Sequence, residues 1–476
     1  MLFNSYEFLI FLPIVFLLYW FVAKNNSRIQ NLIIILASYL FYGWWDWRFL
    51  LLIIFSTLID FYCGLAIEKS PDKIRKRYLW LSIMCNLGLL GYFKYYNFFV
   101  DSFIYSFSQL GITLQASSLH IILPVGISFY TFQTLSYTID IYKEKLKPTY
   151  SLISFAAFVS FFPQPVAGPI ERATNLLPQF FQKRKFDYSK ARNGFKQILW
   201  GFFKKLVIAD NCAEYADMVF NNSASQPGST LFLGAFFFAF QIYGDFSGYS
   251  DIAIGTARLF GVDLMQNFAF PYFSRNVAEF WKRWHISLST WFRDYVYIPL
   301  GGNKKSTQKT VLNTFIVFLV SGLWHGANWT FIVWGLIHTL YFIPLLIMNR
   351  TKKHAHLSSV PQLKDAFSIL ITFVLTTIAW VFFRAENIYE AINYITGLFN
   401  SSIISIPTLP KQSILIIILI LFFNTLEWLG RRDKFAIENM FENSPQFIRW
   451  CFYSSLLLII GLYMQTEETP FIYFQF

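Results

Sequence analysis

His325 lies in Ser321-Gly322-Leu323-Trp324-His325-Gly326-Ala327-Asn328-Trp329, a break rich in small and aromatic residues between apolar runs at 314–320 and 330–347. An ionisable group at membrane depth is penalised even on lenient insertion scales, so a histidine between two spans is read first as a functional group. The competing reading is a helix-packing histidine satisfied by a neighbouring carbonyl. A second histidine, His285, ends the run Phe280-Trp281-Lys282-Arg283-Trp284-His285. Taken as one helix, residues 276–300 put Trp281, Trp284, Leu288, Trp291, Phe292 and Tyr295 on one face and Lys282, Ser289, Arg293 and Asp294 opposite. A cationic face backed by an aromatic one predicts an interfacial helix in the headgroup plane. His285 falls at the edge of the aromatic face, and packing or snorkelling is its alternative role. His338 is a third histidine; on one continuous helix it lies about 20 Å from His325 and reads as packing or support.

Several catalytic layouts are missing from the sequence. No His-Glu-x-x-His, Cys-x-x-Cys, Gly-x-Ser-x-Gly or Walker-type Gly-x-x-x-x-Gly-Lys occurs, so zinc hydrolysis, a serine elbow and nucleotide hydrolysis lose support. Gly302-Asn303-Lys304-Lys305-Ser306 lacks the upstream glycine of a phosphate loop and reads as a cytoplasmic turn. What remains suits general-base work, in which an imidazole titrating near neutrality takes a proton from a hydroxyl. Acyl transfer requires that step, and Asn328 or backbone N–H groups are candidates to steady the oxyanion that follows.

The elements that must position these residues are membrane helices. Of 476 residues, 55% are hydrophobic, 21% aromatic and only 14% charged, and mean hydropathy is +0.44. Uncharged stretches near the ~20 residues that cross a bilayer recur from end to end. The chain therefore reads as an all-α polytopic membrane protein, with no soluble domain left over. The run at 8–23 lacks the flanks of a signal peptide and reads as a retained span.

The net charge of +12 does not indicate nucleic acid, because the basic residues gather in short loops where they set orientation and meet lipid headgroups. Those loops, at 24–28, 69–77, 143–147, 183–196, 350–353 and 431–434, read as cytoplasmic, and both termini then fall outside. The spans between them number roughly a dozen: 8–23, 29–42, 50–67, 79–99, 119–141, 197–209, 231–243, 311–323, 330–348, 366–383, 414–428 and 451–464. The segment 151–168 is apolar but too short to cross and return, and reads as re-entrant over a cavity open to the cytoplasm. Cys63, Cys85, Cys212 and Cys451 suggest neither disulfides nor a metal site, and buried packing is expected of each.

The chain resembles the membrane-bound O-acyltransferase family, most closely its bacterial polysaccharide branch. The likeness is carried by Pro124-Val125-Gly126-Ile127-Ser128-Phe129-Tyr130-Thr131-Phe132-Gln133, by Phe162-Pro163-Gln164 with Ala167-Gly168-Pro169-Ile170, and by Tyr243-Gly244-Asp245-Phe246-Ser247-Gly248-Tyr249-Ser250-Asp251. It continues through the Trp-x-x-Trp-His pattern, Phe292-Arg293-Asp294-Tyr295, Tyr297-Ile298-Pro299-Leu300-Gly301-Gly302-Asn303 and Gly322-Leu323-Trp324-His325-Gly326-Ala327. Each motif is weak alone, but their order and spacing are specific.

The resemblance implies a ring of helices around a funnel or tunnel. It spans one membrane-embedded domain, with the motifs in 1–350 and further helices in 351–476. His325 corresponds to the family's signature histidine and His285 to its second. Trp324, Asn328, Asp245, Asp251, Arg293, Lys282 and Arg283 fit a supporting or substrate-binding shell, and each also fits a helix-pairing or interfacial role.

The implied reaction carries acetyl from cytoplasmic acetyl-CoA, with no bound cofactor or metal. The implied products are an O-acetylated extracytoplasmic polysaccharide, alginate-like or cellulose, or peptidoglycan. The turn at 300–303 resembles the polysaccharide acetylases more than the teichoic-acid D-alanyl transfer proteins of the same family. A separate periplasmic serine-hydrolase-like partner and a bacterial inner-membrane location follow from the same likeness. Arg293, Lys282 and Arg283 would suit the anionic donor. The rival class is a transporter or flippase for a lipid-linked sugar, whose expected mark is an internal repeat; the His285 and His325 regions have no counterpart in the first half.

Overall fold

The computed structural model describes residues 1–23, 26–114, 119, 121–166, 168–348, 362–465 and 471–472. The basic loop expected at 350–353, Lys24, Ala167 and part of the 119–141 span lie outside them. Among the described residues the regular structure is helical and contains no strand. Each expected span overlaps a helix, though the one at 119–141 becomes helical only at Ile127. Five helices meet both the length and the hydropathy needed to cross a bilayer: Trp47–Lys69, Gly228–Leu259, Trp329–Ile347, Leu363–Arg384 and Gln446–Tyr463. Tyr6–Val22 and Ser413–Leu429 are apolar but shorter. Cys63 and Cys212 are buried as expected, whereas Cys85 is half-buried and Cys451 is exposed, so packing accounts for only two of the four.

The chain divides into two compact units, 1–191 with 257–264, and 192–256 with 265–476. In the first unit, helices Leu50–Lys69, Asp72–Leu90 and Ile127–Tyr142 pack on one another. A buried polar cluster joins them. Asp60 accepts from Ser82 Oγ at 2.5 Å and from Asn86 Nδ2 at 2.9 Å, Ser56 donates to Asn86 Oδ1 at 2.7 Å, and Thr138 lies 2.9 Å from Ser82.

The segment expected to be re-entrant forms a nine-residue helix, Leu152–Ser160, too short to cross a bilayer. Its surroundings satisfy the broken backbone that follows. Gln133 donates to Phe158 O at 2.7 Å, and Phe162 N–H donates to Ser38 Oγ at 3.0 Å. Irregular backbone inside a helical membrane protein requires this kind of side-chain partner.

The second unit contains the Thr307–His325 and Trp329–Ile347 hairpin, against which Leu363–Arg384 packs. The hairpin is close enough that a methyl group at Gly322 or Gly335 would collide with Phe331 O or Phe318 O. Small residues let membrane helices approach in this way.

The single helix expected over 276–300 is instead two short ones, Val277–Arg283 and Ile286–Phe292, followed by a π-turn at Arg293–Tyr297. Asn276 caps the first by accepting from Glu279 N–H at 2.8 Å. At the break, residues 267–269 take the freed backbone groups: Ala269 N–H donates to Arg283 O and Ile286 N–H to Asn267 O, both at 2.9 Å. The aromatic face packs into protein, with Trp284 and Leu288 buried. Periodicity does not distinguish a face that meets lipid from one that meets other helices.

Candidate active site

His285 occupies the break itself, at φ 44° and ψ 54°. A non-glycine residue in this left-handed region costs about 1–2 kcal/mol, so its surroundings must hold it there. Asn267 supplies the hold. Its Oδ1 accepts from Ser287 Oγ at 2.8 Å and Ser287 N–H at 3.3 Å, and lies 3.1 Å from His285 Nδ1. An oxygen already accepting from serine makes Nδ1 the protonated nitrogen and Nε2 the basic one. Phe246, on the Gly228–Leu259 helix, meets the ring edge to face at 4.7 Å.

His325 is the last residue of its helix, where the chain leaves through Gly326. Its ring centroid lies 6.3 Å from that of His285, 5.1 Å from Trp324, 5.0 Å from Trp334 and 5.4 Å from Phe383. It is 2% exposed.

A cavity of about 280 Å³ reaches to within one helical turn of each histidine along the chain. Ser321, one turn before His325, and Leu288, one turn after His285, line it. Arg293, Tyr297, Asn303 and Thr314 line it as well, so an apolar pocket carries a few polar groups and one cation. That is the composition of a small-molecule site. Arg293 bonds Asp294 at 2.7 Å, which pushes its pKa further up, and its side chain is more than half exposed.

The remaining expected residues separate by what they touch. Trp324 is buried beside both histidines, 5.8 Å from His285. Asn328 caps the Trp329–Ile347 helix, accepting from Thr330 N–H at 3.0 Å and donating to Glu386 O at 2.8 Å. Arg283 bonds Glu279 at 2.6 Å, and Lys282 is exposed.

Asp251 pairs with Lys204 at 2.5 Å and Asp245 with Lys205 at 2.7 Å. Both lysines lie on the π-helical segment Phe203–Ala209. Asp245 Oδ2 also accepts from Ile472 N–H at 2.7 Å, and Phe471 lies 5.7 Å from Phe246. These two aspartates thus hold helices and the chain's end beside the site. His338 is not on a helix shared with His325, because the chain breaks at Gly326. One indole, Trp334, separates them, 5.0 Å from one ring and 4.9 Å from the other.

Asn267, Lys204, Lys205 and Phe471 were not anticipated from sequence. The two lysines carried a usable signal: cations within an apolar run that had to find anions on another helix. Asn267, a lone amide in a loop, carried none.

The family model "MBOAT, membrane-bound O-acyltransferase family" matches residues 40–385. The chain is 43% identical to the probable alginate O-acetylase AlgI of Pseudomonas aeruginosa, over 84% of this chain and 75% of that protein. It is 36% identical to the peptidoglycan O-acetyltransferase of Helicobacter pylori, over 98% of this chain and 90% of that one. Similarity to the teichoic acid D-alanyltransferase of Streptococcus thermophilus is 30% over 54% of this chain and 68% of its relative.

Proposed function

The chain belongs to the membrane-bound O-acyltransferase family, and from that premise we propose that it moves acetyl groups from cytoplasmic acetyl-CoA to an extracytoplasmic polysaccharide. It is an acyltransferase and an integral membrane protein. Relatives named for alginate and for peptidoglycan both cover nearly the whole chain, so the acceptor class is a glycan hydroxyl.

One observation supports the reading most: two histidines from motifs forty residues apart converge to 6.3 Å beside a cavity that a cationic residue lines. His325 acts as general base and removes the proton of the attacking hydroxyl. The oxygen forms a bond to the thioester carbonyl carbon, and the tetrahedral adduct collapses as the carbon–sulfur bond breaks. The proton held by His325 passes to the departing thiolate, so coenzyme A leaves as the thiol. His285, with Nδ1 committed to Asn267, offers Nε2 to orient the reacting groups. Arg293 receives the anionic end of the donor.

The acceptor hydroxyl approaches from the outer face. It belongs either to the glycan or to a periplasmic serine-hydrolase-like partner that completes the transfer. The setting is the bacterial inner membrane.

Purified protein in liposomes with radiolabelled acetyl-CoA tests this. Thioester turnover is expected in the wild type and a loss of about 10²–10⁴-fold in His325→Ala, the usual contribution of a positioned base. Turnover that survives in that variant removes His325 from the chemistry. Uptake of intact sugar without thioester cleavage would point to transport instead.

A further inference from the structure

Trp281 links the cavity to an imidazole with no part in the reaction and, through Trp334, to His325. Its indole lines the cavity and lies 5.3 Å from Phe318 and 5.6 Å from Trp334, which in turn lies against His325. The indole N–H donates to His338 Nδ1 at 3.3 Å. His338 is fully buried, with Phe280 and Phe318 nearly parallel to it at 2° and 16°. Because Nδ1 accepts, Nε2 carries the proton, and it has no hydrogen-bond partner among the described residues. A buried donor left unmatched costs about 1–3 kcal/mol. Phenylalanine would fill the same stack without that cost, so what the imidazole adds is the bond that fixes the Trp281 ring.

The cavity has two unlike ends. Along the Thr307–His325 helix it runs from Thr314 to Ser321, about 10 Å at 1.5 Å per residue. Tyr297 and Asn303 belong with the Thr314 end: Asn313, beside Thr314, donates to Gly302 O at 2.9 Å. Phe318, Ser321, Leu288 and Trp281 form the end toward the histidines. A thioester entering with its charged portion at Arg293 points its acyl group at the second end.

We propose that Trp281, held by His338, is the wall that limits the transferred acyl group to acetyl. The proposal rests on the donor assignment above. A methylene with no room costs about 1–3 kcal/mol, or about 10–200-fold in selectivity. His338 is a positioning residue: it touches neither donor nor acceptor and acts through the indole.

The experiment compares acetyl-CoA, propionyl-CoA and butyryl-CoA as donors to the full chain in liposomes, reading thiol release as kcat/KM. The wild type prefers acetyl. Trp281→Leu is expected to raise the butyryl-to-acetyl ratio about 10-fold or more, and His338→Phe to raise it by less. His338→Gln, whose carbonyl can accept the indole N–H, is expected to restore the wild-type ratio. That rescue is not what a merely space-filling histidine would produce.

Leu288→Phe, which adds volume at the same end, should move the ratio the other way. Trp281→Phe is read in place of Trp281→Leu if the smaller side chain does not fold. Folded variants with unchanged ratios, or a His338→Gln that tracks His338→Phe, would overturn the wall while leaving the donor assignment intact. A wild type that releases no thiol from acetyl-CoA would overturn both.

Discussion

The cluster around Asp60 and the pair of His285 and His325 are both polar islands within apolar helices, and they are built in opposite ways. Asp60 is fully buried, forms no ion pair among the described residues, and has each carboxylate oxygen bonded to a side chain of the neighbouring helix. The hydroxyls and amide around it bond one another, so the cluster has every reason to stay shut. The histidines are walled by aromatic rings instead, with one nitrogen of His285 anchored by Asn267 and a cavity reaching within a turn of each. Hydrogen bonds that saturate a buried group make it structural. Aromatic walls leave a group able to gain or lose a partner during a reaction.

That contrast fails if the two islands respond alike to substitution. His325→Ala should lower turnover per folded molecule by the decades given above. A variant whose turnover per folded molecule stayed near that of the wild type would make His325 a second Asp60.

Lys205→Met should do the reverse. It removes the cation that Asp245 and Asp210 share, at a cost of about 3–5 kcal/mol measured by unfolding in detergent. Unchanged stability would show that the lysine is not the keystone of that corner.

Asp60→Ala is expected to cost less, about 1–3 kcal/mol for the donors it strands, with turnover per folded molecule within about twofold of the wild type. Asn267→Ala should act on the chemistry alone, about tenfold in kcat with KM steady, since it frees the tautomer and tilt of His285 without touching the donor. A change in KM alone would place Asn267 in donor binding instead.

The parts of this molecule that could be read from sequence follow from one-dimensional regularities. Apolar runs located the long helices but not short ones such as Ile388–Leu398, and the order of short motifs marked His285 and His325. The break at His285 was hidden, because it depends on Asn267 and Ala269 bonding across the gap, and no periodicity encodes a partner eighteen residues upstream. For the same reason the aromatic face of 276–300 resembled a lipid-facing one when it is buried in protein.

Asp245 and Asp251 drew attention through their motif, yet their lysine partners lie forty residues earlier, inside a run that looked like an ordinary span. Asn328 had a legible alternative, since an asparagine just before an apolar helix is a standard N-cap. It fills that role.

The bond from Ile472 to Asp245 joins the last stretch of the chain to a helix more than two hundred residues earlier. Phe471 and Ile472 are as buried as any core side chain. An affinity handle or fluorescent fusion joined directly after Ile472 would therefore strain a seated anchor, and an inactive preparation of that kind would say more about the tag than about the enzyme.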